Sequence, residues 1–165
     1  MSKEDLFLAD WLTRCAKSTP EKLAIQFEQI RWNFAELDRQ VARLARQLAG
    51  AGVYEGERVA LIAANGLPFI SLVHALTRLG AILVPLNTRL TLDELCWELQ
   101  DVRAELLICD QEYENIGKQI SERLPELPQA ILALEHREPG QAKVLLQGIP
   151  EKETESRTLI DLNRT

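Results

Sequence analysis

The chain has 165 residues, a formal net charge of −6 and 46% hydrophobic residues, which is enough apolar material for a sizeable core. This acidic balance argues against a nucleic-acid-binding protein, because such proteins usually present a basic face. No apolar run approaches the roughly 18 residues that a membrane helix needs, and the N-terminal stretch lacks the apolar core of a signal peptide. We therefore expect a cytoplasmic protein with no membrane span and no nucleic-acid partner.

The three cysteines, Cys15, Cys96 and Cys109, are odd in number and widely spaced. This pattern is typical of reduced thiols in a cytosolic protein, and it lacks the spacing of metal ligands. We expect free thiols that are buried or half-buried, since cysteine is among the most buried residue types, and we expect no metal site.

The first elements in chain order are a helix and a hairpin. An amphipathic pattern predicts a helix over residues 4–17, which ends before Pro20 because the residue preceding a proline avoids helical geometry. Residues 23–27 are a predicted strand, and residues 30–32 are expected to pair with it as a small antiparallel hairpin.

A second helix is predicted directly after the hairpin. Asn33 is a preferred N-cap, and Glu36 is three residues further on, as in a capping box. The apolar residues that follow recur at helical spacing as far as about residue 49, and they predict one buried helix face.

Two apolar runs flank a helical pattern between residues 58 and 87. Residues 58–63 form a continuous apolar run, which suits a strand covered on both faces. Pro68 fits the first turn of a helix, where a missing N–H costs nothing, and Gly80 ends this helix before the apolar run 81–85. Two buried strands joined by a helix form a right-handed βαβ unit and predict a parallel sheet.

The alternation continues with a helix from Thr91 to about residue 102, a strand at 106–109, a helix at 112–124 and a strand at 130–134. The order β-α-β-α-β-α-β predicts an α/β fold with a doubly wound, mostly parallel sheet flanked by helices. Residues 135–158 are polar and contain glycine and proline, so we expect a loop region there, with one short strand at 143–146.

The catalytic inventory is small. His74 lies in the middle of an apolar helix, where a structural role is expected, and His136 lies in the predicted loop. The sequence contains no G-x-S-x-G elbow, no H-E-x-x-H and no C-x-x-C motif. No glycine-rich segment precedes Gly117 and Lys118, so these residues do not form a phosphate loop. Composition and spacing therefore indicate an α/β domain without a self-sufficient active site.

Asn87 and Arg89 are the candidate substrate-binding residues, because they leave the carboxyl end of a predicted central strand, where ligands of open α/β sheets bind. Asn87 offers amide donors and an acceptor, and Arg89 offers a fork of donors suited to a carboxylate or phosphate. The alternative is structural: Asn87 shapes the turn, as asparagine often does, and Arg89 pairs with a nearby acid such as Asp93.

The sequence from Thr19 to Leu95 resembles the N-terminal region of the acyl-adenylate-forming superfamily, the AMP-dependent synthetases and ligases. The resemblance is strongest at Gly56–Val59, at the turn Leu79–Ala81 and at the strand end Pro85–Asn87, and it covers about residues 6–134. Within the superfamily, the run from Leu86 to Leu95 is most similar to the o-succinylbenzoate–CoA ligases.

The resemblance implies that residues 1–165 are the N-terminal subdomain of a larger ligase. Such an enzyme uses ATP and magnesium to convert a carboxylic acid into an acyl-adenylate, and coenzyme A then displaces AMP. The acid would be o-succinylbenzoate, a precursor in menaquinone and phylloquinone biosynthesis.

In the superfamily, a Ser/Thr/Gly-rich phosphate loop that ends in a lysine usually follows a segment like Leu159–Thr165, so the chain is expected to end just before it. The family's catalytic residues then map onto no position of this sequence. We expect the 165-residue chain itself to be inactive and to bind no cofactor. It is also expected to expose an apolar docking face through which it self-associates or forms a homodimer.

Two alternatives remain open. One is another acyl-CoA ligase of the same superfamily, specific for a fatty or aromatic acid. The other is a stand-alone, non-catalytic α/β module that binds a partner, which a stop codon directly after Thr165 would favour.

Overall fold

The computed structural model describes residues 11–138 and 141–149. Its elements, in chain order, are α1 (Trp11–Ser18), β1 (Leu23–Phe27), β2 (Ile30–Asn33), α2 (Phe34–Gly50), β3 (Arg58–Ile62), α3 (Leu67–Leu79), β4 (Ile82–Pro85), α4 (Leu92–Asp101), β5 (Leu106–Asp110), α5 (Glu114–Arg123), β6 (Gln129–Glu138) and β7 (Gln141–Gln147).

Five strands form the main sheet in the order β4-β3-β5-β6-β7. Strands β4, β3, β5 and β6 run parallel to one another, and β7 is antiparallel to β6. A separate two-stranded hairpin is formed by β1 and β2. The predicted α/β fold is therefore confirmed, including its mostly parallel sheet and its small N-terminal hairpin.

The sheet lies between two helical layers. Along β3, Val59 and Leu61 belong to one core with α2 and α3, whereas Ala60 and Ile62 belong to a second core with α4 and α5. All four side chains are buried. A strand that is apolar on both faces is what the continuous run in the sequence predicts.

The hairpin depends on α2 for its stability, because a two-stranded ribbon alone is at best marginally stable in water. Ile30 and Trp32 of β2 are buried against the α2 layer. The predicted capping box is confirmed: the Asn33 side chain accepts from the Glu36 N–H at 2.8 Å, and the Glu36 carboxylate accepts from the Asn33 N–H at 2.9 Å.

One polar cluster ties the first three helices together. Arg78 of α3 donates from Nη2 to Oδ1 of Asp38 in α2 at 2.8 Å and to Oγ1 of Thr13 in α1 at 3.0 Å. The side chains of Arg78 and Asp38 are only 15% and 27% exposed, so water weakens this pair less than a surface ion pair.

The predicted loop region 135–158 is corrected by the structure over part of its length. Residues 135–138 continue β6, residues 141–147 form β7, and the short strand predicted at 143–146 lies inside β7. The polar composition was misleading because, over residues 142–147 of β7, the buried residues alternate with less buried ones; Ala142, Val144 and Leu146 are buried. Residues 150–158 lie outside the described part of the chain.

Smaller differences concern element ends. The helix predicted from residue 112 starts as a 3-10 turn at Gln111–Tyr113, and α5 follows. The N-terminal helix is described from Trp11 onward, so the prediction for residues 4–10 falls outside the described residues. Among residues 11–138 and 141–149, no helix is long and apolar enough to span a bilayer.

Candidate functional site

The order of the strands places a topological switch point between β3 and β5. The chain leaves β3 toward α3 on one face of the sheet and leaves β5 toward α5 on the other. In open α/β sheets, ligands bind in the crevice outside the carboxyl ends of the strands at such a point. The carboxyl edge of β3, β4 and β5 is therefore the candidate site.

Asp110 bridges the two loops that flank this crevice. Its Oδ2 accepts a hydrogen bond from the N–H of Ala64, just after β3, at 2.7 Å. Its Oδ1 accepts from the N–H groups of Glu112 and Tyr113 at 3.0 and 3.1 Å and so caps the following helical segment. Both carboxylate oxygens thus bind the backbone, and Asp110 holds the β3 and β5 loops together.

Asn87 and Arg89 lie beside this crevice, at the end of β4, which is an edge strand of the sheet and not the predicted central strand. The Asn87 Oδ1 accepts from the Arg89 N–H at 3.0 Å, and the Asn87 carbonyl accepts from the Leu90 N–H at 3.2 Å. These bonds form a tight turn, while both side chains remain exposed. The turn-forming role considered for Asn87 is present in the structure.

The ion pair between Arg89 and Asp93 that the sequence suggested is not formed. Asp93 pairs with Arg123 of α5 instead of with Arg89. No hydrogen bond or ion pair of the Arg89 guanidinium is found among the residues that the structure describes. After the turn, Thr91 caps α4 and donates two hydrogen bonds to Glu94, which lower the pKa of that carboxyl group.

Sequence reasoning missed Phe27 at this edge. The tip of the hairpin places the Phe27 ring next to Gly66, the N-cap of α3. A Cβ atom added to Gly66 would lie 3.7 Å from Phe27 Cζ. Phe27 is 37% exposed, so an aromatic surface flanks the first turn of α3. The hairpin prediction indicated which strands pair, but the direction in which the hairpin folds over the sheet depends on packing against α2.

The remaining residues with reactive side chains are two histidines and three cysteines. The His74 ring meets the Trp11 ring edge-on, with centroids 5.2 Å apart. The side chain of His136 lies outside the described residues. All three cysteines are free: Cys15 is half-buried, and Cys96 and Cys109 are buried.

Gln40 and Gln47 of α2 are the second set of residues that sequence reasoning missed. The Gln40 amide donates to the Ala142 carbonyl at 3.1 Å and accepts from the Val144 N–H at 3.2 Å. The Gln47 amide donates to the Leu146 carbonyl at 3.3 Å and accepts from the Leu146 N–H at 3.2 Å. Two side-chain amides thus bind the outer edge of β7 in place of a sixth strand.

The polar groups at the carboxyl edge do not fit a nucleotide and its metal ion by themselves. Asp110 uses both oxygens on backbone N–H groups, and α3 begins at Gly66 without a side-chain cap or a neighbouring lysine. Over the described ranges, no group of three His, Cys, Asp or Glu side chains could hold a metal ion.

The family model described as "AMP-binding enzyme" matches residues 12–160. A 2-succinylbenzoate–CoA ligase of Bacillus mycoides (strain KBAB4) is 36% identical over 108 residues, which are 66% of this chain and 22% of the relative. The chain thus spans about a fifth of the length of this curated relative.

Solved structures agree with the sequence comparison. O-succinylbenzoate coenzyme A synthetase (MenE) from Bacillus subtilis, solved with ATP and magnesium ion, has a TM-score of 0.66 and 32% identity, over 73% of this chain and 32% of that chain. The anthranilate–CoA ligase AuaEII, solved with anthranoyl-AMP, has a TM-score of 0.69 and 29% identity. The match covers 79% of this chain and 26% of the AuaEII chain. With nearly its whole length matched by the family model, the chain belongs to the family of AMP-binding enzymes.

Proposed function

We propose that this chain is the N-terminal part of an AMP-forming acid–CoA ligase whose acid is o-succinylbenzoate. The observation that carries the proposal is the 36% identity to a 2-succinylbenzoate–CoA ligase over 66% of the chain. The structural likeness to MenE of Bacillus subtilis supports the same assignment.

The complete enzyme would join its acid to coenzyme A in two steps, in the cytoplasm and on the route to menaquinone or phylloquinone. ATP and magnesium would supply activation of the acid, because a free carboxylate is a poor acyl donor. This part of the enzyme would contribute a rigid sheet and one wall of the acid site. We propose that the 165-residue chain is inactive alone, since it spans only 22% of the curated relative.

Asn87 and Arg89 are proposed to belong to the wall of the acid site. Both side chains are exposed at the carboxyl end of β4, next to the switch point, and the Asn87 turn fixes the backbone of Arg89. A guanidinium group binds a carboxylate through two parallel hydrogen bonds. An acid that carries a second carboxylate, such as o-succinylbenzoate, suits a site with an additional cation.

ATP–pyrophosphate exchange tests the proposed reaction. We expect the complete gene product to exchange pyrophosphate with o-succinylbenzoate faster than with anthranilate or octanoate, because only the matching acid is adenylated efficiently. The 165-residue chain, assayed beside it, should show no exchange above the background without acid.

Two results would contradict this proposal in different ways. Exchange by the 165-residue chain would refute its inactivity, and preference of the complete product for another acid would refute the substrate. The likeness to AuaEII makes an aromatic acid the second candidate. A stop codon directly after Thr165 would favour the stand-alone binding module.

The role of Arg89 is tested separately in the complete gene product. We expect Arg89→Ala to raise the KM for o-succinylbenzoate by about tenfold or more, the usual effect of losing a charge-assisted hydrogen bond. The KM for ATP and the melting temperature should stay close to wild type. Arg46→Ala, an exposed arginine on α2, is the matched control. Unchanged kinetics with a lowered melting temperature would instead favour a structural role.

A further inference from the structure

A cleft of about 650 Å³ lies at the end of the sheet opposite to Asn87 and Arg89. It opens between the C-terminal ends of α4 and α5, where the chain enters β5 and β6. This volume lies within the range of small-molecule sites, about 300–1,000 Å³. Because the carboxyl edge of the sheet accounts for the proposed acid site, the cleft requires a separate explanation.

The floor of the cleft is apolar. Leu99 of α4 is 2% exposed. Leu124, Leu127 and Pro128 line the opposite wall, in the segment that connects α5 to β6. Such a floor suits a hydrocarbon chain or a ring rather than a fully polar ligand.

Two of the four charged residues that line the cleft are already paired. Arg123 pairs with Asp93 of α4. Glu105 pairs with Arg58 at 3.4 Å and also accepts from the Arg58 N–H at 2.8 Å. Arg103 also lines the cleft, and no side-chain partner of its guanidinium is found within residues 11–138 and 141–149.

The backbone of Arg103 is in the left-handed region, with φ of +52°. The residue follows the end of α4, where the N–H of Ala104 donates to the Leu99 carbonyl at 3.0 Å. Glycine normally takes this position because it adopts a positive φ without strain. A non-glycine residue holds such a conformation only where the surrounding structure fixes it. The Arg103 carbonyl is also fixed, since it accepts from Arg58 Nε at 3.0 Å.

We propose that this cleft binds a small apolar monocarboxylate, with the carboxylate on the Arg103 guanidinium and the apolar body against Leu99, Leu124 and Leu127. The guanidinium fork matches the geometry of a carboxylate. Glu126, exposed at the rim, disfavours ligands with several negative charges. Since the cleft and the proposed acid site lie at opposite ends of the sheet, the ligand of the cleft is distinct from the substrate of the acid site.

Titration of the 165-residue chain with octanoate, followed by the backbone amide signals in NMR spectra, tests the proposal. We expect shifts concentrated at residues 99–105 and 123–128. The uncharged analogue 1-octanol should bind at the same place but more weakly. Arg103→Gly should weaken octanoate binding by about tenfold or more and remove the preference over 1-octanol. This variant keeps its fold, because glycine accepts the same backbone angle.

Glu28→Gly is the matched control, because Glu28 in the hairpin turn also has φ of +52° and lies outside the cleft. It relieves the same kind of strain and should leave octanoate binding unchanged. The proposal is overturned if octanoate causes no shifts, or if the shifts lie at the carboxyl edge of the sheet. It is also overturned if Arg103→Gly binds octanoate as the wild type does, or if Glu28→Gly weakens binding equally.

Discussion

Gly117 of α5 packs tightly against Cys109 of β5. A Cβ built on this residue would lie 2.9 Å from the Cys109 sulfur, closer than real side chains pack. The same packing removes the Cys109 thiol from water, and this burial raises its pKa to about 12. Because the thiolate is the reactive form of cysteine, Cys109 is an inert packing residue at neutral pH.

The contact predicts the effect of Gly117→Ala. Alanine is the better helix former, but the added methyl group overlaps the Cys109 sulfur, so we expect a net loss of about 1–3 kcal/mol in the free energy of unfolding. Urea unfolding followed by circular dichroism measures this difference.

Combining Gly117→Ala with Cys109→Ala makes the test specific to this contact. The second substitution removes the sulfur, so the double variant should be more stable than the sum of the two single effects predicts. Strict additivity, or a raised urea midpoint for Gly117→Ala alone, would contradict the overlap.

Single residues also show where sequence reasoning reaches its limit. The turn role of Asn87 was among the alternatives derived from sequence because a side chain that bonds to the backbone two residues on is a local feature. The partner of Asp93 was not foreseen, because Arg123 is 30 residues away and the pair depends on how α4 packs against α5. The sequence did not single out Arg103, since its positive φ is a property of the folded backbone.

At the scale of elements, α2 binds β7 through two side-chain amides. Gln40 and Gln47 are seven residues apart, which corresponds to about 10.5 Å along a helix. On β7, their bonds centre on Lys143 and Leu146, about 10 Å apart at strand spacing. Arg43 donates to Gln40 Oε1 at 2.9 Å and helps to orient that amide. The two spacings match, so the glutamines specify the register of β7.

Replacing both glutamines should loosen the outer strand. Gln40→Ala together with Gln47→Ala removes four hydrogen bonds to partly buried backbone groups, and we expect a loss of about 2–4 kcal/mol in the free energy of unfolding. Hydrogen exchange should accelerate at Val144 and Leu146 before it does so in β3 or β5.

Arg46→Ala serves as the control, because Arg46 is exposed on the same helix. It should leave both the stability and the exchange rates of β7 near wild type. Equal protection of Val144 and Leu146 in the double variant and the wild type would show that the amides contribute little to holding β7.

Strand β7 also explains why the region 135–158 was predicted incompletely. Helices α2 and α4 and strands β3 and β5 have strong local signals, either capping boxes or continuous apolar runs. Strand β7 has neither, because its polar residues alternate with the buried ones and its outer edge is covered by residues that precede it by about a hundred positions. A local pattern cannot show that kind of coverage.

At the scale of the whole molecule, both edges of the sheet are poor templates for another strand. The N–H of Ile82 donates to the Glu57 carbonyl, just before β3, at 2.8 Å, and the N–H of Leu86 donates to Leu61 of β3 at 2.9 Å. The backbone groups of the alternate residues Leu83 and Pro85 therefore face away from β3, at the open edge of the sheet. Proline has no N–H, which leaves one donor on that short edge. The glutamines cover the other edge. The expected self-association stays a prediction, and it would use exposed apolar side chains rather than strand addition.

The sequence was sufficient for the layer architecture and the parallel sheet, because βαβ units restrict the topology strongly. It did not indicate that β4 would lie outside β3, and therefore it did not locate the switch point or the Asp110 bridge to Ala64. The cleft at the opposite end was also not predictable, because segments separated along the chain line it together.

The distance along the chain between α2 and β7 has a consequence for synthesis on the ribosome. Gln40 precedes Ala142 by 102 residues. At about 5–20 residues per second, the helix waits roughly 5–20 seconds for the strand that it must bind. Through most of that interval β6 is not yet synthesised either, so the Gln40 and Gln47 amides remain with water until β7, the last strand of the sheet, emerges.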